Sequence, residues 1–266
     1  MLTPAAIVGL KTLYMPCLDF YPEVEDEANR WFDKDHIAER LHCTGWLSCE
    51  RFQRATVEPW GYQPREEWPK YMNMFVVEGP AGPLRNDQRL QMVSPGEWRT
   101  ALNARVEELG LGDAVRRGPA SPWFIARTIA GPRRGVWVQR PSPWANLRTV
   151  VMPPPRAILV LFMDFDPDDV EIDRYRDEAA IPDLLSCAGV LGCERFEAAT
   201  PEARSEEPRP RFLEIYDLES PEVVSSAAFR RNREAVIDSA LEARITLWGS
   251  AAYVQRPSPW ALRPLM

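Results

Sequence analysis

The chain has 266 residues, 45% of them apolar and 27% charged, the balance of a globular protein that buries a real core in one or two domains. A formal net charge of -7 argues against a nucleic-acid groove, which depends on clustered Lys and Arg. There is no apolar run of about 18 residues and no signal-peptide pattern, and the five cysteines have no zinc-type spacing, so the expectation is a cytoplasmic protein with reduced thiols, acting on a small molecule without membrane or nucleic-acid partners.

In chain order, "IVGLKTLYM" (Ile7 to Met15) reads as a strand, and after Pro22 the acidic amphipathic stretch Val24 to Leu41 reads as a helix. "GWLSCERF" (Gly45 to Phe52) alternates like a strand, and "KYMNMFVVE" (Lys70 to Glu78) follows as another. A second helix is expected over Glu97 to Leu109, then a strand containing "VWVQR" (Val136 to Arg140). The same grammar then runs again: "AILVLFMDF" from Ala157, a helix over Asp168 to Leu185, "GVLGCERF" from Gly189, "RFLEIYDLE" from Arg211, a helix over Pro221 to Ala243, and "AAYVQR" ending at Arg256. The order is βαββαβ, twice.

The doubling is also written in the residues. "CTGWLSCERFQRAT" (Cys43 to Thr56) matches "CAGVLGCERFEAAT" (Cys187 to Thr200) at an offset of 144, with nine of fourteen residues identical, and "VQRPSPWA" occurs at Val138 to Ala145 and again at Val254 to Ala261. The expected class is α+β, with halves at 1–150 and 151–266, each a ferredoxin-like split βαβ unit whose sheet has one bare face. Two such sheets in one chain can pack face to face as an internal barrel, with Trp144 and Trp260 pinning the extended tails. Glu50 and Arg51 recur as Glu194 and Arg195, which favours a structural ion pair across the sheet; Cys49 and Cys193 recur as small buried hydrophobes.

The stretch "ANRWFDKDHIAERLHCTGWLSCERFQR", with "IYDLESPEVVSSAAFRRN", resembles the dimeric α+β barrel superfamily, its EthD-like branch above all, here as a tandem fusion of two units. The resemblance implies cofactor-independent proton chemistry on small, often aromatic molecules, by cyclases, isomerases, lyases or quinol-forming monooxygenases; some distant members bind haem. For this chain it implies a lyase or isomerase acting on a phenolic catabolic intermediate, with no cofactor, as a monomeric barrel or a homodimer.

The halves differ in their chemistry. Both histidines and eight of the ten tryptophans lie in the first half, and His36 and Asp35 align with Ala180 and Ala179. His36 is the candidate general base, since an imidazole titrates near neutral pH; otherwise it lines a helix surface. Asp33 or Asp35 could orient it, although Asp35 falls on the stripe Val24, Ala28, Trp31, Asp35, where an acid is either in a pocket or paired with an arginine. Tyr14 is either a hydrogen-bond donor to a developing oxyanion or a core aromatic. Trp31, Trp46, Trp60, Tyr62, Trp68, Trp123 and Phe124 are candidate walls for a flat substrate, the last five on or beside the insertions at 58–71 and 110–135, where Arg116, Arg117, Arg133 and Arg134 could meet an anion. No metal site is expected, because His36 and His42 stand six apart and share no helical face.

Overall fold

The computed structural model describes residues 12–60, 69–79, 97–110, 126–127, 134–140, 157–199, 210–237 and 240–256. Its strands are β1 (Thr12–Phe20), β2 (Trp46–Arg54), β3 (Tyr71–Val77), β4 (Ala126–Arg127), β5 (Arg134–Gln139), β6 (Ala157–Asp164), β7 (Val190–Ala198), β8 (Phe212–Leu218) and β9 (Thr246–Gln255). Eight of them form a ring in the order β3, β2, β9, β6, β8, β7, β5, β1, which closes because β1 also pairs with β3, every pairing being antiparallel. The short β4 adds to the end of β1 through Asp19 and Phe20. This closed ring has the form of a dimeric α+β barrel.

β6, "AILVLFMD", is buried at every position except its last, as a strand must be when one face looks into a barrel and the other lies under helices. The interior is packed with side chains from both parts of the chain, among them Leu13, Met15, Phe52, Met74, Trp137, Ile158, Phe162, Phe196, Ile215 and Tyr253. Alternation along the strands sends the other set outward, where helices cover it.

Beneath α1 (Glu25–Trp31) and α2 (Ile37–Leu41) lie two apolar groups, one around Trp31, Phe32 and Tyr71 and one around Trp46, Cys49 and Phe75. α3 (Glu97–Glu108) adds Leu102 and Val106 to the first of these. The later strands are covered by α4 (Val170–Tyr175), α5 (Ile181–Leu185) and α6 (Ala227–Ile237). The helix expected over Pro221 to Ala243 is divided, with a 3-10 turn at Pro221–Ser225 and another at Glu242–Arg244 flanking α6. Ser226 is the reason for the first break: it is extended, and its hydroxyl accepts the Phe229 amide at 3.1 Å, capping α6 at a new start.

The two places where β1, β2, β3 and β5 meet the later strands are three-residue ladders, Phe52 to Arg54 against Tyr253 to Gln255, and Trp137 to Gln139 against Phe196 to Ala198. Here the repeated "QR" meets the repeated "ER". Gln139 donates to Glu194 at 3.1 Å and the Arg140 amide to Arg195 O at 2.8 Å; Gln255 donates to Glu50 at 3.1 Å and the Arg256 amide to Arg51 O at 2.8 Å. Of the residues expected in structural ion pairs, Arg51 and Arg195 do pair with carboxylates, Asp33 and Asp177, while Glu50 and Glu194 serve the seams, because neighbours on a strand face opposite sides of the sheet. Trp144 and Trp260, the expected tail pins, lie outside the described residues. No helix among the described residues is long and apolar enough to cross a membrane.

Candidate active site

The helical arm over 25–41 follows a 3-10 turn opened by Pro22 and begins with three acidic residues, Glu25, Asp26 and Glu27, at the end where the helix dipole favours negative charge. Its middle, Phe32–His36, is a π turn, in which the Ile37 amide donates to Phe32 O, five residues back. A π turn adds one residue to the spacing of neighbouring faces. The buried face therefore runs Val24, Ala28, Trp31, Phe32, His36, Ile37, and Asp35 is only half-buried beside it. This corrects the stripe that placed Asp35 in line with Trp31, a line that assumed unbroken α geometry.

His36 is 8% exposed. Its ring lies 4.8 Å from that of Trp31 and 4.7 Å from that of Phe32, edge-on to the latter. Ile37, next in the chain, belongs to the neighbouring group in which Tyr14 meets Trp46 edge-on at 5.5 Å and Trp46 meets Phe75 at 4.9 Å. Trp31, Trp46, Tyr14 and His36 thus share the layer between the arm and the outer face of β1, β2 and β3. Trp60 stands elsewhere: its amide donates to Val224 O and the Arg230 guanidinium lies 5.4 Å over its ring, so it fastens the segment after β2 to the 3-10 turn before α6. Tyr62, Trp68, Trp123 and Phe124 lie outside the described residues, as do Arg116, Arg117 and Arg133, and Arg134 is described in its backbone alone.

Asp33 is taken up by a cation. Arg51, fully buried, donates Nη1 to Asp33 Oδ1 at 2.7 Å and to Asn29 O at 3.3 Å, Nη2 to Asn29 Oδ1 at 2.8 Å, and Nε to Asn73 Oδ1 at 2.9 Å. Its guanidinium lies over the rings of Phe32 and Tyr71. Burial draws the Arg51 guanidinium down from its ordinary value, against the pull of Asp33. From the far end of β9, Arg256 reaches the other Asp33 oxygen at 3.9 Å. The polar shell continues from Asn29, which donates to Tyr71 Oη at 3.1 Å, to Glu25, bonded by both Tyr71 and Lys70. Burial alone would lift the Glu25 carboxyl, but Lys70 and Tyr71 outweigh it and hold it low.

Asn29, Asn73 and Tyr71 escaped the sequence reading. A signal was present in the pairing of offsets, since Asp33 and Arg51 recur together as Asp177 and Arg195. The later arm repeats the geometry, with a π turn at Arg176–Ala180 and Arg195 on Asp177 and Asp173 at 2.9 Å each. Its contents are different. Ala180 stands where His36 stands, and Arg176 replaces Phe32 and is bound to Glu214, with Tyr216 and Glu242 alongside. Under the second arm Arg176 and Arg195 make buried ion pairs, whereas under the first the Arg51 to Asp33 pair is packed among the rings of Trp31, Phe32 and Tyr71.

Burial pushes the Cys49 and Cys193 thiols well up, so neither is a poised nucleophile. His42 is exposed, its Nδ1 2.6 Å from Ala38 O. A cleft of about 440 Å³ opens beside the ends of β6 and β9, lined by Phe165, Trp248, Arg211 and Arg244 among others. Its arginines are already met by carboxylates, Arg211 by Glu197 and Arg244 by Asp169 and Glu171. Among the described residues no cluster of His, Cys, Asp or Glu is arranged to hold a metal ion.

No protein-family model matches the chain, and no curated protein matches it. Among solved structures, it is similar to a candidate chlorite dismutase, at 12% identity over 93% of this chain and 95% of that one, with a TM-score of 0.51. It is also similar to the chlorite dismutase of Candidatus Nitrospira defluvii in complex with imidazole, at 8% identity over 94% and 92%, TM-score 0.51, and to an anthrone oxidase-like protein, at 10% over 96% and 94%, TM-score 0.49. At such identities the likeness is one of fold, and the fold is that of the dimeric α+β barrel proteins.

Proposed function

We propose that this chain is an enzyme of the dimeric α+β barrel superfamily, of its EthD-like branch, in which two ferredoxin-like units at 1–150 and 151–266 close one barrel and the first carries the active site. The reaction is a lyase or isomerase step on a small aromatic, phenolic substrate. The observation that carries this reading is that the π turn of the first arm presents a buried imidazole among aromatic rings, whereas the same turn of the second arm presents Ala180. The small-molecule enzymes named among the fold neighbours support it.

In this mechanism His36 takes a proton from the substrate and returns it later in the cycle. The Tyr14 hydroxyl donates to the oxyanion that develops, and Trp31 and Trp46 hold the aromatic ring in place. The freed electron pair moves through the conjugated system and either expels a small fragment, such as formaldehyde, or shifts a double bond. Asp33 serves His36 through the turn, its carboxylate being bound to Arg51. Haem, carried by some distant members of the superfamily, does not fit the described residues: Ala180 offers no ligand in the second arm, and in the first the His36 ring is flanked by Trp31 and Phe32.

The test is turnover of a panel of phenolic compounds by the wild type and by His36→Ala. The variant should be slower by about 10²-fold or more while retaining its fold by circular dichroism. Unchanged turnover sinks the reading. Oxygen uptake matching product formation would favour a cofactor-free quinol-type monooxygenase, and ligand-induced Trp quenching preserved in His36→Ala, with no turnover in either protein, would favour an aromatic-ligand binding protein.

A further inference from the structure

We propose that Arg51 is a positioning residue: it clamps the π turn to the sheet and so fixes the imidazole of His36. The proposal rests on the reading of His36 as the proton carrier and assigns a role to a residue that makes no contact with substrate in that mechanism. Three observations lead to it.

The first is where the guanidinium binds. Three of its four hydrogen bonds go to Asn29 and Asp33, one at the last turn of α1 and one inside the π turn, and the fourth ties it to Asn73 on β3. A rigid fork of donors therefore bridges the strand layer and the one stretch of the arm whose backbone departs from α geometry. The second is the short path to His36. Asp33 and His36 belong to the same five-residue turn, closed by the bond from Ile37 N–H to Phe32 O, and Phe32 lies both under the Arg51 guanidinium at 5.2 Å and against the His36 ring at 4.7 Å. Movement of Asp33 or Phe32 must therefore move the imidazole.

The third is the internal control that the molecule supplies. Arg195 makes the same bond to Asp177, at the same place in a π turn of the same length, over a turn that carries no imidazole. A clamp that serves only stability would matter equally in both arms. One that positions a proton carrier matters to chemistry in the first arm alone.

The experiment compares Asp33→Asn with Asp177→Asn in the full-length chain. Asp33 is partly exposed and the amide keeps an acceptor, so the variant is mild; Arg51→Lys, which removes the fork, is the stronger companion. Asp33→Asn should lower kcat by about 10- to 100-fold with little change in KM, since sub-ångström misplacement of a reacting group costs rate before it costs binding. It should also shift the pH profile of kcat and the titration of the His36 ring followed by NMR. Asp177→Asn should leave kcat, the profile and the ring signal unchanged, whatever its effect on melting. Equal effects of the two substitutions on turnover would overturn the proposal and leave the His36 mechanism standing, whereas loss of the mechanism itself shows as full turnover in His36→Ala.

Discussion

Replacing Glu214 by Gln removes one charge that two arginines share. Glu214 is 1% exposed, bound to Arg176 and 3.6 Å from Arg195, and it also accepts the Tyr216 hydroxyl at 2.8 Å. Leaving two buried guanidiniums short of a counter-charge should cost roughly 3–5 kcal/mol, read as a lower urea midpoint. The pH dependence has a definite sign. Burial would raise the Glu214 carboxyl, but Arg176 and Arg195 outweigh it and hold it below its ordinary value. A depressed folded value means that the stabilisation is complete above the unfolded value of about 4.3 and is lost as pH falls through the folded one, so the wild type should weaken in acid and Glu214→Gln should show a flatter acid limb. Asp173, held low by Arg140 and Arg195 against its own burial, adds to the same limb. At this scale the sequence was informative about type and silent about partner. That His36 differs from Ala180 could be read directly, whereas the engagement of Asp33 by Arg51, eighteen positions on, left only the trace that both recur at one offset, as Asp177 and Arg195.

At the scale of elements, the two arms end in the same way, at glycines of positive φ, Gly45 at +84° and Gly189 at +88°. Their surroundings are not equivalent. A Cβ on Gly45 would come no nearer than 3.7 Å to Glu78, whereas on Gly189 it would stand 2.6 Å from Val223 Cγ2. Gly45→Ala should therefore cost about 1–2 kcal/mol from backbone strain alone, and Gly189→Ala more, because Val223 must also move; paired urea titrations distinguish them. Elements were the most legible level of the sequence, since alternation and helical period showed most strands and both arms, although the first strand, expected to end at Met15, runs to Phe20, and the helix expected over Pro221 to Ala243 is α-helical only over Ala227–Ile237. The π turns were not legible. A turn of i to i+5 leaves composition untouched and shifts only the phase of the residues beyond it, so counting by 3.6 put Asp35 on the buried line that His36 occupies.

The whole molecule is a ring whose joints are unequal. β6 pairs with β8 through seven residue pairs and with β9 through eight, while each seam between the earlier and later strands has three. Opening should begin where the ladder is shortest, so the amides of Arg140 and Arg256, each bonded across a seam, should exchange with deuterium before those of β6. The doubled phrases are plain in the sequence, and the barrel expected from them is met by a closed ring of eight strands. That each "VQR" would dock on the other copy's "CERF" was hidden, since a seam bond joins residues more than fifty positions apart. A closed circle of strands offers neighbours no backbone to pair with, which protects against self-association in crowded solution. Once a three-rung joint parts, two strand borders are laid bare together, so clumping of this protein on warming should keep pace with the parting of those joints and set in ahead of melting of the body.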